Sequence, residues 1–458
     1  FNYDVKGDRS IQLRGGSGIF TSKVPFVWIV AQSGDAGLIQ FTQTYSGSQV
    51  PGPFSPDTRA YLPATPPAAG TSIPSGISAI DPGFKFPQTW KSSLAVDTKL
   101  PFGFVGTLEG IYNKDLNIAK GYHVNLVEPT ALNVSGYPDN RPMYPASNGA
   151  KFINKLSNGQ VTPTATGAFN PVVLDNAKEG HSWFVTAKLD KTFKGGLAAS
   201  LAYTASGQKA LYDGNGDQLF NTWSLTQTSN TGNNPGLSYT SFNAPHRVVA
   251  NLSYRKEFLK SLATNVSLFY EGSSQGRFSY TYSSDFNRDG QTNDLIYIPR
   301  DGSEVDFTPL TVGGVTYDDA AQDVLLMNYI EQDDYLKSRK GQFAERNGAK
   351  MPWRNQFDIR ISQEVFKNIS KTKNTLQFTL DILNFGNLLN NEWGNVNFVN
   401  NSAILVPTNT SALTPGGATR PTFRMNTFNN KPVERTFGTA ETISSTYYMQ
   451  LGLRYNFQ

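Results

Sequence analysis

The sequence predicts an all-β protein, a transmembrane antiparallel β-barrel, from three observations. The chain ends in a segment of alternating apolar and polar residues that runs from Tyr447 to Gln458. Short turns alternate with long connections along the whole sequence. Aromatic residues make up 12% of the chain, with 21 Tyr and 30 Phe, and such a share is typical of the aromatic girdles at the two membrane interfaces of a barrel. A large soluble β-sandwich could share this composition, so the first two observations carry the prediction.

The terminal strand divides its side chains into two sets, because successive residues of a strand point to opposite faces. The apolar set consists of Tyr447, Met449, Leu451, Leu453, Tyr455 and Phe457. The other set consists of Tyr448, Gln450, Gly452, Arg454, Asn456 and Gln458. We expect the first set to face lipid and the second to face the lumen of the barrel.

The same alternation recurs earlier in the chain. It is found in residues 183–189, 248–254, 357–361 and 376–382. Asp358, Arg360 and Glu364 fall on the predicted inward face, where we interpret them as a charged lumen wall or a surface on which a plug domain docks. Charged inward faces opposite apolar outward faces favour a wide, wet lumen over a dry sandwich core.

The turns and connections give the predicted barrel an orientation. The short ones are residues 5–9, 99–103, 193–196, 257–261 and 367–373, and the long ones are about 21–84, 126–180, 214–243, 283–352 and 394–442. Outer-membrane barrels have short periplasmic turns, long extracellular loops and an even number of strands with both ends periplasmic. About 11 strands lie between these turns, and the first must run toward the periplasm, as the last does. We therefore expect residues 1–458 to be the C-terminal part of a single barrel domain whose earlier strands precede this sequence.

Composition excludes several other classes of protein. The chain has no cysteine, which argues against a disulfide framework and a thiolate metal site. Its net charge of +4 is spread along the sequence, so no nucleic-acid partner is expected. No apolar run approaches the ~20 residues that a spanning helix needs, whereas a membrane-crossing strand needs only about 9–11.

Several short motifs, taken in their order and position relative to the predicted strands, resemble the C-terminal half of the barrel in TonB-dependent outer-membrane receptors of the Oar-like group. The resemblance covers most of the chain. It is carried by residues 14–20 (RGGSGIF), 24–28 (VPFVW), 293–299 (NDLIYIP), 329–336 (YIEQDDYL), 341–347 (GQFAERN), 352–353 (PW) and 384–387 (NFGN). Many members of this family end on the aromatic residue itself, whereas here Gln458 follows Phe457.

The resemblance implies a 22-stranded barrel in the outer membrane, of which about half is present. It implies ligand binding at the extracellular loops, a plug domain of the same protein inside the barrel, and energy delivered by TonB through an N-terminal region absent from this sequence. The ligand is unknown, and long loops that contain aromatic residues suit a peptide, protein or glycan better than a bare ion. In this interpretation the chain acts as a receptor or transporter and does no bond chemistry.

Three alternatives remain open at this point. A passive porin would share the barrel, and a structural barrel could act as a scaffold in a larger cell-envelope assembly. The third is a barrel-embedded hydrolase. Residues 272–276 (GSSQG) match the nucleophile-elbow pattern, but that elbow needs a strand followed at once by a helix, and here the sequence continues as a strand. We therefore expect no enzymatic activity.

One loop carries the spacing of a calcium site. Asp285, Asn287, Asp289 and Gly290 match positions 1, 3, 5 and 6 of an EF-hand loop, and Asn293 falls at position 9. Position 12 is Ile296 instead of the usual bidentate Glu, so Asp294 is the candidate for a substitute carboxylate. The sequence therefore predicts a structural Ca²⁺ held by Asp285, Asn287, Asp289, Asn293 and Asp294. The alternative is an Asx-rich turn without metal.

The long connection of about residues 283–352 is expected to contain a helix over residues 319–340, since Val324, Leu325, Tyr329 and Leu336 recur near helical spacing. Two roles are open for it: a lid or ligand-contacting element, or a helix that packs on the barrel rim.

Overall fold

The computed structural model describes residues 1–34, 45–65, 68, 73–157, 159–162, 164–214, 216–258, 262–367 and 374–457. Within these residues eleven strands form one antiparallel path in chain order, each hydrogen-bonded to its neighbours. They are β1 (Asn2–Asp4), β2 (Ile11–Thr21), β3 (Gln88–Lys99), β4 (Phe104–His123), β5 (Gly180–Thr192), β6 (Leu197–Ala210), β7 (His246–Phe258), β8 (Leu262–Ser274), β9 (Trp353–Lys367), β10 (Thr375–Leu383) and β11 (Tyr448–Asn456). The predicted turns at 257–261 and 367–373, and Gln458, lie partly or wholly outside the described residues.

The register of the strands places apolar residues opposite apolar residues. Leu380 on β10 pairs with Ile361 on β9 and with Leu451 on β11. Ile359 on β9 pairs in turn with Leu268 on β8. Because these residues occupy every second position, they share one face of the sheet, and Leu451 is 68% exposed on it. An exposed apolar face of this kind suits contact with lipid, and the predicted alternation is confirmed.

The opposite face carries charged side chains in pairs. Arg14 on β2 lies 2.8 Å from Asp97 on β3 and 3.2 Å from Glu109 on β4. On the same face, Arg360 lies 3.5 Å from Asp381. Further pairs on this face are Lys188 with Asp190, Arg247 with Glu271, and Arg255 with Glu257. The polar face of the sheet is therefore a wall of compensated charges rather than an apolar core.

One of the short turns depends on glycine. Gly196, the last residue of the turn before β6, has a φ of +95°, a backbone conformation that residues with a side chain rarely adopt. A Cβ at this position would lie 1.9 Å from the carbonyl oxygen of Arg255 on the neighbouring β7. The turn can therefore lie against β7 only because residue 196 has no side chain.

The sheet continues past the membrane on the side of the long connections. β4 has 20 residues, about twice what a strand needs to cross the membrane. Its last residues pair with the strand Asn170–Ala177, which pairs on its other edge with Gly76–Ile80. The outer end of β4 thus anchors parts of two long connections.

The long connections contain the remaining described elements. The helices are α1 (Phe26–Gly34), α2 (Asn148–Lys151), α3 (Leu219–Ser224), α4 (Asp319–Gln332), α5 (Asp334–Ser338) and α6 (Phe385–Leu389). Short strands are Thr130–Ala131, Pro142–Met143, Leu156–Ser157, Gln160–Val161, Ser238–Tyr239, Arg277–Phe278, Tyr297–Ile298, Asp306–Phe307, Leu310–Val312, Val315–Tyr317, Gln342–Phe343, Ala349–Lys350, Asn397–Val399, Leu405–Pro407, Thr422–Met425, Thr427–Phe428, Lys431–Pro432 and Phe437–Thr439. The 3₁₀ turns are Gly47–Gln49, Pro101–Gly103 (within a short turn), Gly302–Glu304 and Thr410–Ala412. In the described part of the chain, no helix has both the length and the hydropathy needed to cross a membrane.

The main apolar core lies in the connections and not between the barrel strands. We call it the loop core, and it combines residues of three connections: 124–179, 275–352 and 384–447. Its largest fully buried members include Met143, Tyr280, Tyr282, Phe286, Tyr329 and Phe423. A smaller cluster joins Trp28 of α1 to Val172 and Leu219. The long connections are therefore folded together above the sheet.

Candidate functional site

The helix predicted over residues 319–340 is confirmed, as two helices. α4 and α5 meet at Asp333, whose carboxylate accepts a hydrogen bond from the amide of Leu336 and so caps α5. Leu326 and Tyr329 of α4 are buried in the loop core. In addition, the side chain of Gln322 accepts from the Met425 amide, which ties α4 to the last connection. The helices therefore pack within the loop core.

The candidate calcium loop begins with a tight turn inside the loop core. The amide of Gly290 donates to Oδ2 of Asp285 at 2.8 Å, and the amide of Asp289 donates to Oδ1 of Asn287 at 2.8 Å. Arg288 and Gly290 adopt φ values of +64° and +93°, which bend the chain sharply. Asp289 is 2% exposed. The other carboxylate oxygen of Asp285, Oδ1, is buried and accepts no hydrogen bond from the described residues.

Asp294 closes the base of this loop. Its Oδ2 accepts from the amides of Phe286 and Asn287 at 2.8 and 3.1 Å. Its Oδ1 is 3.1 Å from Nη1 of Arg141. Both oxygens of Asp294 thus have partners within the protein, and its carboxylate fixes the loop conformation.

The predicted ligands consequently fall into two groups. Asp285, Asn287 and Asp289 come together in one turn. Asn293 instead donates from Nδ2 to the carbonyl of Ser224 at 3.1 Å, and Asp294 bonds to Arg141. Over the described residues, no three Asp, Glu or His side chains form a metal site by themselves. A cation bound here would need amide or backbone oxygens as well, so the calcium site stays a prediction.

The electrostatics of the loop are set by burial. Burial raises the pKa of the Asp294 carboxyl to about 6, although Arg141 acts to lower it. Burial also raises the pKa of Asp289 well above its usual range, and the charges of Asp294 and Asp285 raise it further. Burial likewise raises the pKa of Asp285, although the Gly290 amide and the nearby Lys151, itself only 7% exposed, act to lower it. Three carboxyl groups therefore share one buried volume, in which their ionised forms repel each other.

Arg141 lies at the centre of this buried volume, and no local sequence pattern predicts its role. Its guanidinium forms ion pairs with Asp139 at 2.8 Å and with Asp294 at 3.1 Å, and its side chain is 1% exposed. Its Nη2 donates to the carbonyl of Leu295 at 2.7 Å. The guanidinium carbon also lies 4.9 Å from the ring centre of Tyr282 and 4.8 Å from that of Phe286. The planar, multiply donating guanidinium suits such a buried position.

Comparisons with known proteins place the chain in a family. The family model "Outer membrane beta barrel domain" matches residues 1–421. No curated protein matches the sequence. Among solved structures, the outer membrane transporter YddB from Escherichia coli is similar at 11% identity and a TM-score of 0.38, over 93% of this chain and 39% of that one. This chain thus spans less than half of that transporter's length. Since the family model covers most of the sequence, the chain belongs to the outer membrane beta barrel domain family and resides in the outer membrane.

Proposed function

We propose that this chain is the C-terminal barrel segment of a TonB-dependent outer-membrane receptor or transporter of the Oar-like group. The observation that carries the proposal is the loop core, in which three long connections share one buried apolar cluster above the sheet. Loops that are held by a rigid scaffold are the usual carriers of binding sites. A folded outer surface of this size suits the capture of a large ligand, such as a peptide, protein or glycan.

The charged face of the sheet supports the transport step that would follow ligand capture. Arg14 bridges Asp97 and Glu109, and similar pairs follow across the sheet to Arg360 and Asp381. Partly exposed ion pairs contribute little stability, about 0–1 kcal/mol each, so their value lies in presenting polar groups. In the proposed receptor this face contacts the plug domain. TonB pulls on that plug from the periplasm, and ligand held by the loops passes along the polar wall.

The experiment uses the full-length protein, purified and inserted into a planar bilayer. A plugged receptor should show almost no ion conductance, whereas a variant lacking the plug should conduct strongly. The full-length protein should also bind the purified periplasmic domain of TonB. Steady conductance of the full-length protein without TonB binding would instead identify a porin. If neither the full-length protein nor the variant without the plug conducts ions, and TonB does not bind, the barrel is better explained as a structural scaffold in a cell-envelope assembly.

A further inference from the structure

A pocket at the outer rim of the sheet lies apart from the loop core. It has a volume of about 710 Å³ and lies where β9 begins and where the chain turns after α6. Its wall includes Trp353 and Asn355 of β9, together with Glu392, Trp393 and Asn397 of the last connection. We call it the rim pocket. It contains none of the ion pairs described on the polar face of the sheet and none of the buried residues of the loop core.

The rim pocket is held rigidly by backbone contacts. Arg354 donates from Nε to the carbonyl of Gly394 and from Nη2 to that of Ser444, each at 2.9 Å. The buried Asn384 donates from Nδ2 to Gly394 and to the carbonyl of Ser445 at 3.2 and 3.0 Å. Gly394 has a φ of +68°, and a Cβ there would lie 1.9 Å from Oδ1 of Asn384. The turn that carries Trp393 is therefore fixed against β9 before any ligand arrives.

Two indole rings remain exposed on this fixed wall. Trp353 is 44% exposed and Trp393 is 53% exposed. The Trp353 indole donates from Nε1 to Oδ1 of Asn355 at 2.9 Å, and the hydroxyl of Tyr270 donates to the same oxygen at 2.7 Å. These bonds fix the orientation of the Trp353 ring, and its apolar surface stays open to the pocket.

The pocket opens at the boundary between lipid and water. Trp353 and Asn355 share the face of β9 that carries Phe357 and Ile359, which is the lipid-facing face of the sheet. Both residues lie at the start of β9, directly after a long connection. The long connections are on the extracellular side in an outer-membrane barrel. The helix α6 contacts β9, and its Leu389 is 64% exposed. An occupant with both an apolar and a polar part fits this position.

The chemistry of the wall favours a neutral sugar ring over a phosphate group. An indole face carries partial negative charge, which attracts the weakly positive C–H groups of a pyranose ring. The amides of Asn355 and Asn397 and the carboxylate of Glu392 are suited to hydrogen bonds with hydroxyl groups. The exposed Glu392 would repel an anion. Arg354 is the cation of the wall, and its Nε and Nη2 already donate to the carbonyls of Gly394 and Ser444.

We propose that the rim pocket binds a sugar unit in the headgroup of an outer-leaflet glycolipid, whose acyl chains lie along the apolar face near Phe357. A free oligosaccharide has the same polar chemistry, but it would leave the apolar surface of Phe357, which lines the pocket, uncovered. The proposal rests on the membrane position of the sheet and is independent of whether the barrel depends on TonB.

The test measures the glycolipid that stays bound to full-length protein. The protein is purified from outer membranes, washed extensively in detergent, and analysed by native mass spectrometry before and after addition of purified lipopolysaccharide. Trp353→Leu and Trp393→Leu keep an apolar side chain but remove the indole. We expect each to lower the bound glycolipid about fivefold, since leucine has no π-face on which the C–H groups of a sugar ring can stack. Trp183→Leu is the matched control, because Trp183 is 40% exposed on the same face of the sheet.

A second variant avoids any effect on folding. Glu392 is exposed, and Glu392→Gln should leave the heat-modifiable, folded form intact while lowering glycolipid binding severalfold. Phosphatidylethanolamine should not displace the bound glycolipid, and the free core oligosaccharide should displace it only at much higher concentration. The proposal is overturned if Trp183→Leu loses as much glycolipid as Trp353→Leu and Trp393→Leu, or if none of the variants loses any. It is also overturned if phosphatidylethanolamine displaces the bound glycolipid as well as added lipopolysaccharide does.

Discussion

Arg141 and Asp294 lie 153 residues apart in the sequence and form a 3.1 Å ion pair in the interior of the loop core. Asp139 completes the arrangement on the other side of the guanidinium, at 2.8 Å. One buried arginine thus joins the second long connection to the base of the candidate calcium loop. We predict that the fold of the loop core depends on this contact.

Replacement of the arginine tests that dependence. Arg141→Met should destabilise the loop core by about 3–5 kcal/mol, because it removes the one positive charge that compensates the buried carboxylates of Asp139 and Asp294. Limited proteolysis of the purified protein should then cut within residues 275–352 while the strands stay intact. The control is Arg360→Met, which removes a partly exposed ion pair worth about 1 kcal/mol or less. Equal protease resistance of Arg141→Met and the natural protein would contradict the role of Arg141.

The pH dependence of the loop core follows from the raised pKa values. Burial raises the pKa of Asp294 to about 6 and that of Asp289 well above its usual range. The folded protein therefore binds these protons more tightly than the unfolded chain, in which such groups titrate near 4. The free energy of unfolding should fall as pH rises from about 4 to about 6.

In metal-free buffer, the thermal transition of the loop core should accordingly lie several degrees higher at pH about 5 than at pH about 7. Near-ultraviolet circular dichroism measures this transition, since the core is rich in tyrosine. Asp294→Asn should flatten the dependence, whereas Asp301→Asn, at an exposed position, should leave it unchanged. A transition that rises with pH over this range would refute the assignment.

Calcium should reverse this loss of stability at neutral pH. A cation bound by Asp285, Asn287 and Asp289 stabilises the folded form, by about 2.7 kcal/mol at a hundredfold excess over its Kd. Ca²⁺ should raise the transition more than Mg²⁺, which demands a stricter octahedral geometry. The double substitution Asp285→Asn with Asp289→Asn should abolish the shift. If Ca²⁺ has no effect on the natural protein, the loop is an Asx-rich turn without metal.

The turn between β5 and β6 should not tolerate a side chain at residue 196. Gly196→Ala would place a Cβ 1.9 Å from the carbonyl of Arg255, so the folded, heat-modifiable fraction in outer membranes should drop sharply. Gly7→Ala is the control, because Gly7 also has a positive φ, of +75°, but has no atom within 4 Å of the added Cβ. That variant should cost only about 1 kcal/mol. Similar yields of both variants would show that the close approach to β7 does not matter.

The strands could be predicted because their signal is local. Leu451 and Leu380 each belong to a run of alternating residues, and a two-residue period fixes the face without knowledge of the partner strand. The helices α4 and α5 were predicted for the same reason, although the interruption at Asp333 was not. The loop core could not be predicted, since it depends on contacts such as Arg141 with Asp294 between distant connections. The turn at residues 285–290 is predicted in part. The spacing of its Asp and Asn residues is a local signal, whereas the bonds of Asn293 to Ser224 and of Asp294 to Arg141 are long-range contacts.

The proposed receptor function and the proposed role of the rim pocket both require that the loop core lies outside the cell. Residues 1–458 contain no cysteine, so each introduced cysteine is the only one in this segment, and the protein without it serves as the labelling background. In intact cells, a membrane-impermeant maleimide should label Asp301→Cys at once and Lys194→Cys only after the outer membrane is permeabilised. Leu451→Cys, on the apolar face, should react with neither treatment. Labelling of Lys194→Cys in intact cells, with Asp301→Cys protected, would show that the loop core faces the periplasm. That result would contradict both the receptor function and the glycolipid site.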